Sequence, residues 1–143
     1  MNRPVATDFA WTITAAAPPP LESDHVGGMQ IAEVLYDASM QYLVAALGVA
    51  DLQALARLTS CRPILSGVSS TFVSALGGGE PIRVGVKAGT RTQRSFVLDD
   101  AVWAADRLVA FGTTSIVMFD TDAGRATDIP AELWDRMTAM DAR

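Results

Sequence analysis

With 143 residues, half of them apolar, and a net charge of −5, the chain can build one packed domain and is too short for two. The acidic balance argues against a general nucleic-acid binder, and no stretch approaches the ~18–20 uninterrupted apolar residues of a membrane span. A single cysteine, Cys61, rules out an intramolecular disulfide and a cysteine-based metal site. The first residues, MNRPVATDFAW, lack the apolar core of a secretory signal, so a cytoplasmic protein is expected.

Residues 1–7 carry no periodic pattern. In Asp8–Ala16, Phe9, Trp11 and Ile13 alternate with small or polar residues, which predicts a first strand. Pro18-Pro19-Pro20 ends any ladder there and forces an extended path into the stretch Asp24–Leu47. A helix is predicted from near Gly28–Gln30 to Gly48. Ile31, Leu35, Ala38, Tyr42 and Ala45 form its apolar stripe, which Val34, Leu43, Val44 and Leu47 widen. Its second half is therefore expected to be buried on several sides. Glu33, Asp37 and Gln41 form a separate polar stripe at four-residue steps. A second short amphipathic piece is predicted in Asp51–Leu58.

From Pro63 the period changes to two. Ile64–Val73 reads as a strand, Leu76–Pro81 as a glycine-rich turn, and Ile82–Ala88 as a half-exposed strand. Gly89–Gln93 is a turn and Ser95–Ala104 a strand, with Asp99-Asp100 expected at a bulge or an edge. Ala105-Asp106 makes a hairpin turn into Arg107–Phe119, apolar on both faces and so expected to lie centrally in a sheet. Asp120–Arg125 is a loop. Thr127 or Asp128 is expected to cap a last helix that has Pro130 in its first turn and packs through Leu133, Trp134 and Met137. The order is strand, long helix, about four antiparallel strands and a terminal helix. No strand–helix alternation supports a parallel sheet.

Several motifs in that order resemble the hotdog-fold acyl thioesterases of the 4-hydroxybenzoyl-CoA thioesterase type. The family commonly enters its helix with D-x-x-G-H-V-N-N-A-x-Y-L. Here Asp24, Gly27, Ala32 and Leu35 match, and Met29 and Gln30 are similar in kind. Phe72 followed by Gly79-Glu80-Pro81, the strand Leu108–Thr114 with Val117–Asp120, and the closing Ile129-Pro130-Ala131-Glu132-Leu133 also match in order. The likeness spans about residues 8–137. Gly28 stands where the family carries His or another larger residue, Gln30-Ile31 replaces the Asn pair, and Val34 replaces the aromatic.

The resemblance implies an α+β hotdog fold in one domain: an antiparallel sheet of five to six strands wrapped around one long central helix. It implies hydrolysis of an acyl-CoA or acyl-carrier-protein thioester to a free acid, in a homodimer that can pair further into a homotetramer. No cofactor is expected, with coenzyme A entering only as part of the substrate, and no metal. Asp24 is the expected nucleophile or general base, and Glu33 a second candidate carboxylate. The amide near Ile31 is the expected oxyanion donor, with Gln30 orienting the water or carbonyl and Gly27-Gly28 allowing close backbone approach. Lys87, Arg91, Arg94 and Ser95 lie in a basic stretch suited to CoA phosphates or an acidic carrier surface. The alternative reading is a non-catalytic hotdog protein that binds acyl thioesters. His25, the lone histidine, reads as a loop or interface residue, and Cys61 as an inert thiol. Gly77-Gly78-Gly79 lacks the Lys and helix of a phosphate-binding loop.

Overall fold

A computed structural model describes residues 3–21, 23–51, 53 and 60–142. It contains strand β1 (Trp11–Ala16), helix α1 (Gly28–Leu47), strands β2 (Cys61–Phe72), β3 (Pro81–Arg91), β4 (Ser95–Ala104), β5 (Arg107–Asp120) and β6 (Arg125–Ala126), and helix α2 (Ala131–Asp141). The amphipathic piece predicted in Asp51–Leu58 falls largely outside the described residues. The strands form one antiparallel sheet in the order β1-β3-β4-β5-β2, with β6 on β5. Because β1 and β2 are its two edges, the connection through α1 must cross the whole sheet, and α1 lies on one face of it.

Ile31, Leu35, Ala38, Tyr42 and Leu43 of α1 pack on Val84, Val86, Leu98, Val102, Ile116 and Met118, and α2 adds Leu133, Met137 and Met140. Burial stays on one face of α1: Glu33, Asp37, Gln41 and Ala45 are exposed. The expected burial on several sides is therefore not met within one chain, because a sheet covers only one side of a helix. The helix ends at Gly48, whose φ of 67° is the left-handed conformation glycine adopts without strain.

Three local expectations change. Phe9 leaves the first strand: Ala6–Asp8 is a short 3-10 turn closed by Val5 N–H donating to Asp8 Oδ2 at 2.8 Å. Phe9 then packs on the outer face of the sheet, edge-on to Trp103 with centroids 5.7 Å apart. Asp99 and Asp100 lie mid-ladder in the central strand β4, paired with Lys87 and Val86 on one side and Thr113 and Gly112 on the other. The ladder slips instead at Val102–Trp103, opposite the extra residue Val109, so Val109 joins the helix-side core while Leu108 joins the outer cluster. Finally, no side chain caps α2. Its N-cap is Pro130, and Asp128 accepts from Gln93 and Arg94 on the β3–β4 turn.

Candidate active site at the entry of α1

The helix entry is held by backbone and amide contacts rather than by a capping hydroxyl. Gln30 turns back so that its Oε1 accepts Gly27 N–H at 3.0 Å, while its Nε2 donates to the Pro19 carbonyl at 2.7 Å. Val26 N–H donates to Leu76 O at 2.8 Å, tying the entry to the turn before β3. Both ends of the Gln30 amide are thus engaged in fixing the proline segment against the helix.

Ile31 N–H makes the first intrahelical bond, to Gly27 O at 3.0 Å. The donor expected near Ile31 is therefore occupied, and the open donors lie one turn earlier. Among the described residues no acceptor meets the N–H groups of Gly28, Met29 and Gln30, the positive end of a 20-residue helix.

A groove of ≈ 760 Å³ runs between the exposed side of α1 and the edge strand β2. Gly28, Met29, Ala32, Glu33 and Tyr36 line it from the helix, and Leu65, Val68, Ser70 and Phe72 from the strand. The Phe72 ring lies against Gly28: a Cβ there would stand 3.1 Å from Cζ of Phe72. Phe72 therefore fills part of the space that a larger residue at this position would take. A smaller cavity of ≈ 450 Å³ lies beside it, lined by Leu21, Ser23, His25, Gly27, Gly28, Met29 and Gln30. A third, of ≈ 650 Å³, lies on the opposite face of the sheet under the N-terminal segment and is remote from the open helix amides.

The predicted residues divide between two places. Gly27, Gly28, Gln30 and Glu33 come together at the helix entry, and Glu33 is the predicted carboxylate that lines the groove. Asp24 is exposed within a turn closed by Ser23 Oγ and His25, and lines neither cavity at the entry. The basic stretch lies elsewhere. Lys87 sits over the Phe9 ring, 5.3 Å from its centroid, and Arg91 over Trp134 at 5.0 Å. Arg94 pairs with Asp128 at 3.3 Å, and Ser95 shares a 2.7 Å hydroxyl contact with Thr92. Arg91 and Arg94 belong to the end of the sheet near α2, which receives the C-terminus of α1 through Arg136 donating to Leu47 O. One helix length, roughly 30 Å, separates that end from Gly28.

A buried polar cluster lies under α1. Asp100, 2% exposed, accepts Thr114 Oγ1–H at 2.8 Å, and Ser39 of α1 contacts Thr114 at 3.5 Å. Burial pushes the Asp100 carboxyl up to about 6; Thr114 and Ser39 offset this in part, while neighbouring Asp99 adds to it. The only sequence signal was an Asp pair inside an apolar run: alternation requires one of two consecutive residues to point inward. No group of three or more His, Cys, Asp or Glu able to hold a metal occurs among the described residues.

No family model matches the sequence, and no curated protein sequence matches it. Solved structures do. A 1,4-dihydroxy-2-naphthoyl-CoA thioesterase from Synechocystis superposes with a TM-score of 0.79 at 16% identity, over 91% of this chain and 96% of that one. A protein from Staphylococcus aureus solved in complex with CoA gives 0.81 at 13% identity, over 99% of this chain and 89% of that one. A mutant 4-hydroxybenzoyl-CoA thioesterase in complex with 4-hydroxybenzoyl-CoA gives 0.78 at 16% identity, over 89% and 97%. At such identities the likeness is one of architecture: the sheet with one long helix laid across it is the hotdog fold of those thioesterases.

Proposed function

We propose that this chain hydrolyses an acyl-CoA thioester to a free carboxylic acid, with the reaction at the mouth of the α1–β2 groove. The observation that carries the reading is the meeting of a carboxylate and open backbone donors in one groove: Glu33, Gly28 and Met29 all line it. A thioester carbonyl placed there receives hydrogen bonds from the first-turn amides, which are aimed at the charge that develops on its oxygen. The Glu33 carboxylate either attacks the carbonyl carbon and expels the CoA thiolate, leaving a glutamyl anhydride that water then hydrolyses to the free acid, or takes a proton from a water that attacks the carbonyl directly and expels the thiolate. The apolar walls of Ala32, Leu65 and Val68 receive the acyl group.

Asp24 is the second candidate, favoured by its place in the D-x-x-G pattern. It is exposed beside the helix entry and would reach a thioester where a second chain closes the groove. Such pairing is supported by β2, an edge strand that exposes Ile64, Leu65, Val68 and Phe72. We infer a homodimer joined along this edge, in which Lys87, Arg91, Arg94 and Ser95 of one chain are available to CoA phosphates only if their present contacts are shared.

A thiol-release assay with a panel of acyl-CoA chain lengths tests the reading on wild type, Glu33→Gln and Asp24→Asn. Loss of most turnover in Glu33→Gln, with Asp24→Asn active, assigns the chemistry to the groove; the reverse assigns it to the loop. Binding without thiol release at any chain length would favour a non-catalytic acyl-thioester binder. That reading has one structural support: both ends of the Gln30 amide are already engaged in the loop.

A further inference from the structure

The cavity of ≈ 650 Å³ on the outer face of the sheet takes no part in the proposed reaction. Its floor is one cross-strand row. Thr14 of β1 pairs with Arg83 of β3, Arg83 with Trp103 of β4, and Trp103 with Leu108 of β5. Alternation turns all four side chains away from α1, because their neighbours Ile13, Val84, Val102 and Val109 belong to the helix-side core. Phe9 closes one end of the row. It fills the space over Gly85, two residues along β3, and stands edge-on to Trp103. Residues 3–6 and the Ala105-Asp106 turn complete the lining.

The side-chain polar groups on this lining are nearly all donors. Among the described residues the guanidiniums of Arg3 and Arg83 make no ion pair, hydrogen bond or ring contact, and the Thr14 hydroxyl has no partner. The Trp103 indole N–H also makes no hydrogen bond. It is not one of the sealed polar atoms that lack a partner, so it is open to solvent, and Trp103 lines this cavity. The ionised acceptor on the lining is the Asp106 carboxylate. Two guanidiniums against one carboxylate leave a net charge of +1. An exposed arginine alone is ordinary. Two of them around one recess, with an indole N–H and a hydroxyl, form a donor set that calls for an anionic acceptor.

We propose that this cavity binds a small organic monoanion, a carboxylate on an apolar body. The carboxylate accepts from Arg3, Arg83 and the Trp103 indole N–H, and the body lies along Val5, Pro81 and Leu108. One negative charge balances the lining, whereas a phosphate brings up to two. Trp103, only 6% exposed, has no open face on which a nucleobase could stack, which sets a nucleotide aside. The volume falls within the about 300–1,000 Å³ of pockets for small organic molecules. The sheet separates this site from the α1–β2 groove. An acid of this class is also what the proposed hydrolysis releases, but the binding stands whether or not the groove is catalytic.

The test is titration of the isotope-labelled full chain with hexanoate, followed by NMR at the indole N–H signals of its three tryptophans, with Trp103→Phe assigning the signal that matters. The Trp103 signal should move to saturation. Those of Trp11 and Trp134, which pack against the helix-side core, should stay. Arg83→Gln should weaken binding by roughly 10-fold or more, as loss of a charge-assisted hydrogen bond requires. Arg3→Ala, outside the sheet ladders, should also weaken it and keeps the test open if Arg83→Gln disturbs the strand. Glu33→Gln should leave the titration unchanged. A Trp103 signal that does not move, or that moves equally in both arginine variants, overturns the site. An equal response to hexanol would show a merely apolar recess and overturn the anion. A response to phosphate or AMP that needs Arg83, with none to hexanoate, overturns the carboxylate.

Discussion

Replacing Asp100 by Asn removes a charge from beneath α1 and keeps the side-chain volume. The Asp100 carboxyl, ordinarily near 3.8, is pushed to about 6 by burial. Between these values the unfolded chain has released its proton and the folded chain has kept it. Folding therefore takes up a proton in this window, and stability falls as pH rises through it. The full effect corresponds to about 3 kcal/mol, of which a little under half, roughly 1 kcal/mol, appears between pH 5 and pH 8. Asn carries no such dependence. Urea unfolding followed by tryptophan fluorescence at pH 5 and pH 8 should thus show the variant gaining roughly 1 kcal/mol on wild type as pH rises, or a few °C in Tm for a chain of this size. The variant-minus-wild-type difference isolates Asp100 from Asp99 and Asp141, whose carboxyls burial also raises. A difference that does not change with pH would refute the reading of Asp100 as a carboxylate ionised at a cost inside an apolar layer.

Further outcomes are expected. Tyr42→Phe removes the 2.9 Å bond to Asp141 Oδ1, through which α1 holds the end of α2, and should cost about 1–2 kcal/mol in urea unfolding; an unchanged midpoint counts against that tie. Gln30→Ala frees Gly27 N–H and the Pro19 carbonyl at once and should cost about 1 kcal/mol while speeding proteolysis between β1 and α1. Gly28→Leu should press on Phe72 and lower thiol release, and adding Phe72→Ala should restore it; additive losses would mean that the ring does not share that space. Val68→Lys places a charge on the exposed apolar edge strand and should shift light-scattering mass towards a monomer if β2 is the pairing edge.

The local rules that hold here are those with few competitors. The helix from Gly28 to Leu47 follows from a single apolar stripe and a terminal glycine, and the strands after it from two-residue alternation and glycine turns. These rules fail where long-range packing chooses. Phe9 continues the alternation of Trp11 and Ile13, yet Gly85 leaves a space on the outer face and the ring takes it: a Cβ on Gly85 would lie 2.6 Å from Phe9 Cγ. Asp128 has the chemistry of a helix cap, but Gln93 and Arg94 on a distant turn reach it first.

At the site the division is similar. The run from Asp24 to Glu33 is legible as a helix entry because a turn, paired glycines and an apolar onset are all local features. Which carboxylate faces a groove is not local. It depends on β2 lying along one side of α1, and β2 is placed by its ladder with β5, a pairing whose partners lie some 40–60 residues apart along the chain. The row of Thr14, Arg83, Trp103 and Leu108 likewise joins four strands that no short window of sequence connects. Sequence alone thus determined the elements and their order, since propensity and periodicity act within a few residues. The tertiary structure decided which side of α1 stays open, which carboxylate the groove receives and which one is buried, because those depend on strand register across the sheet.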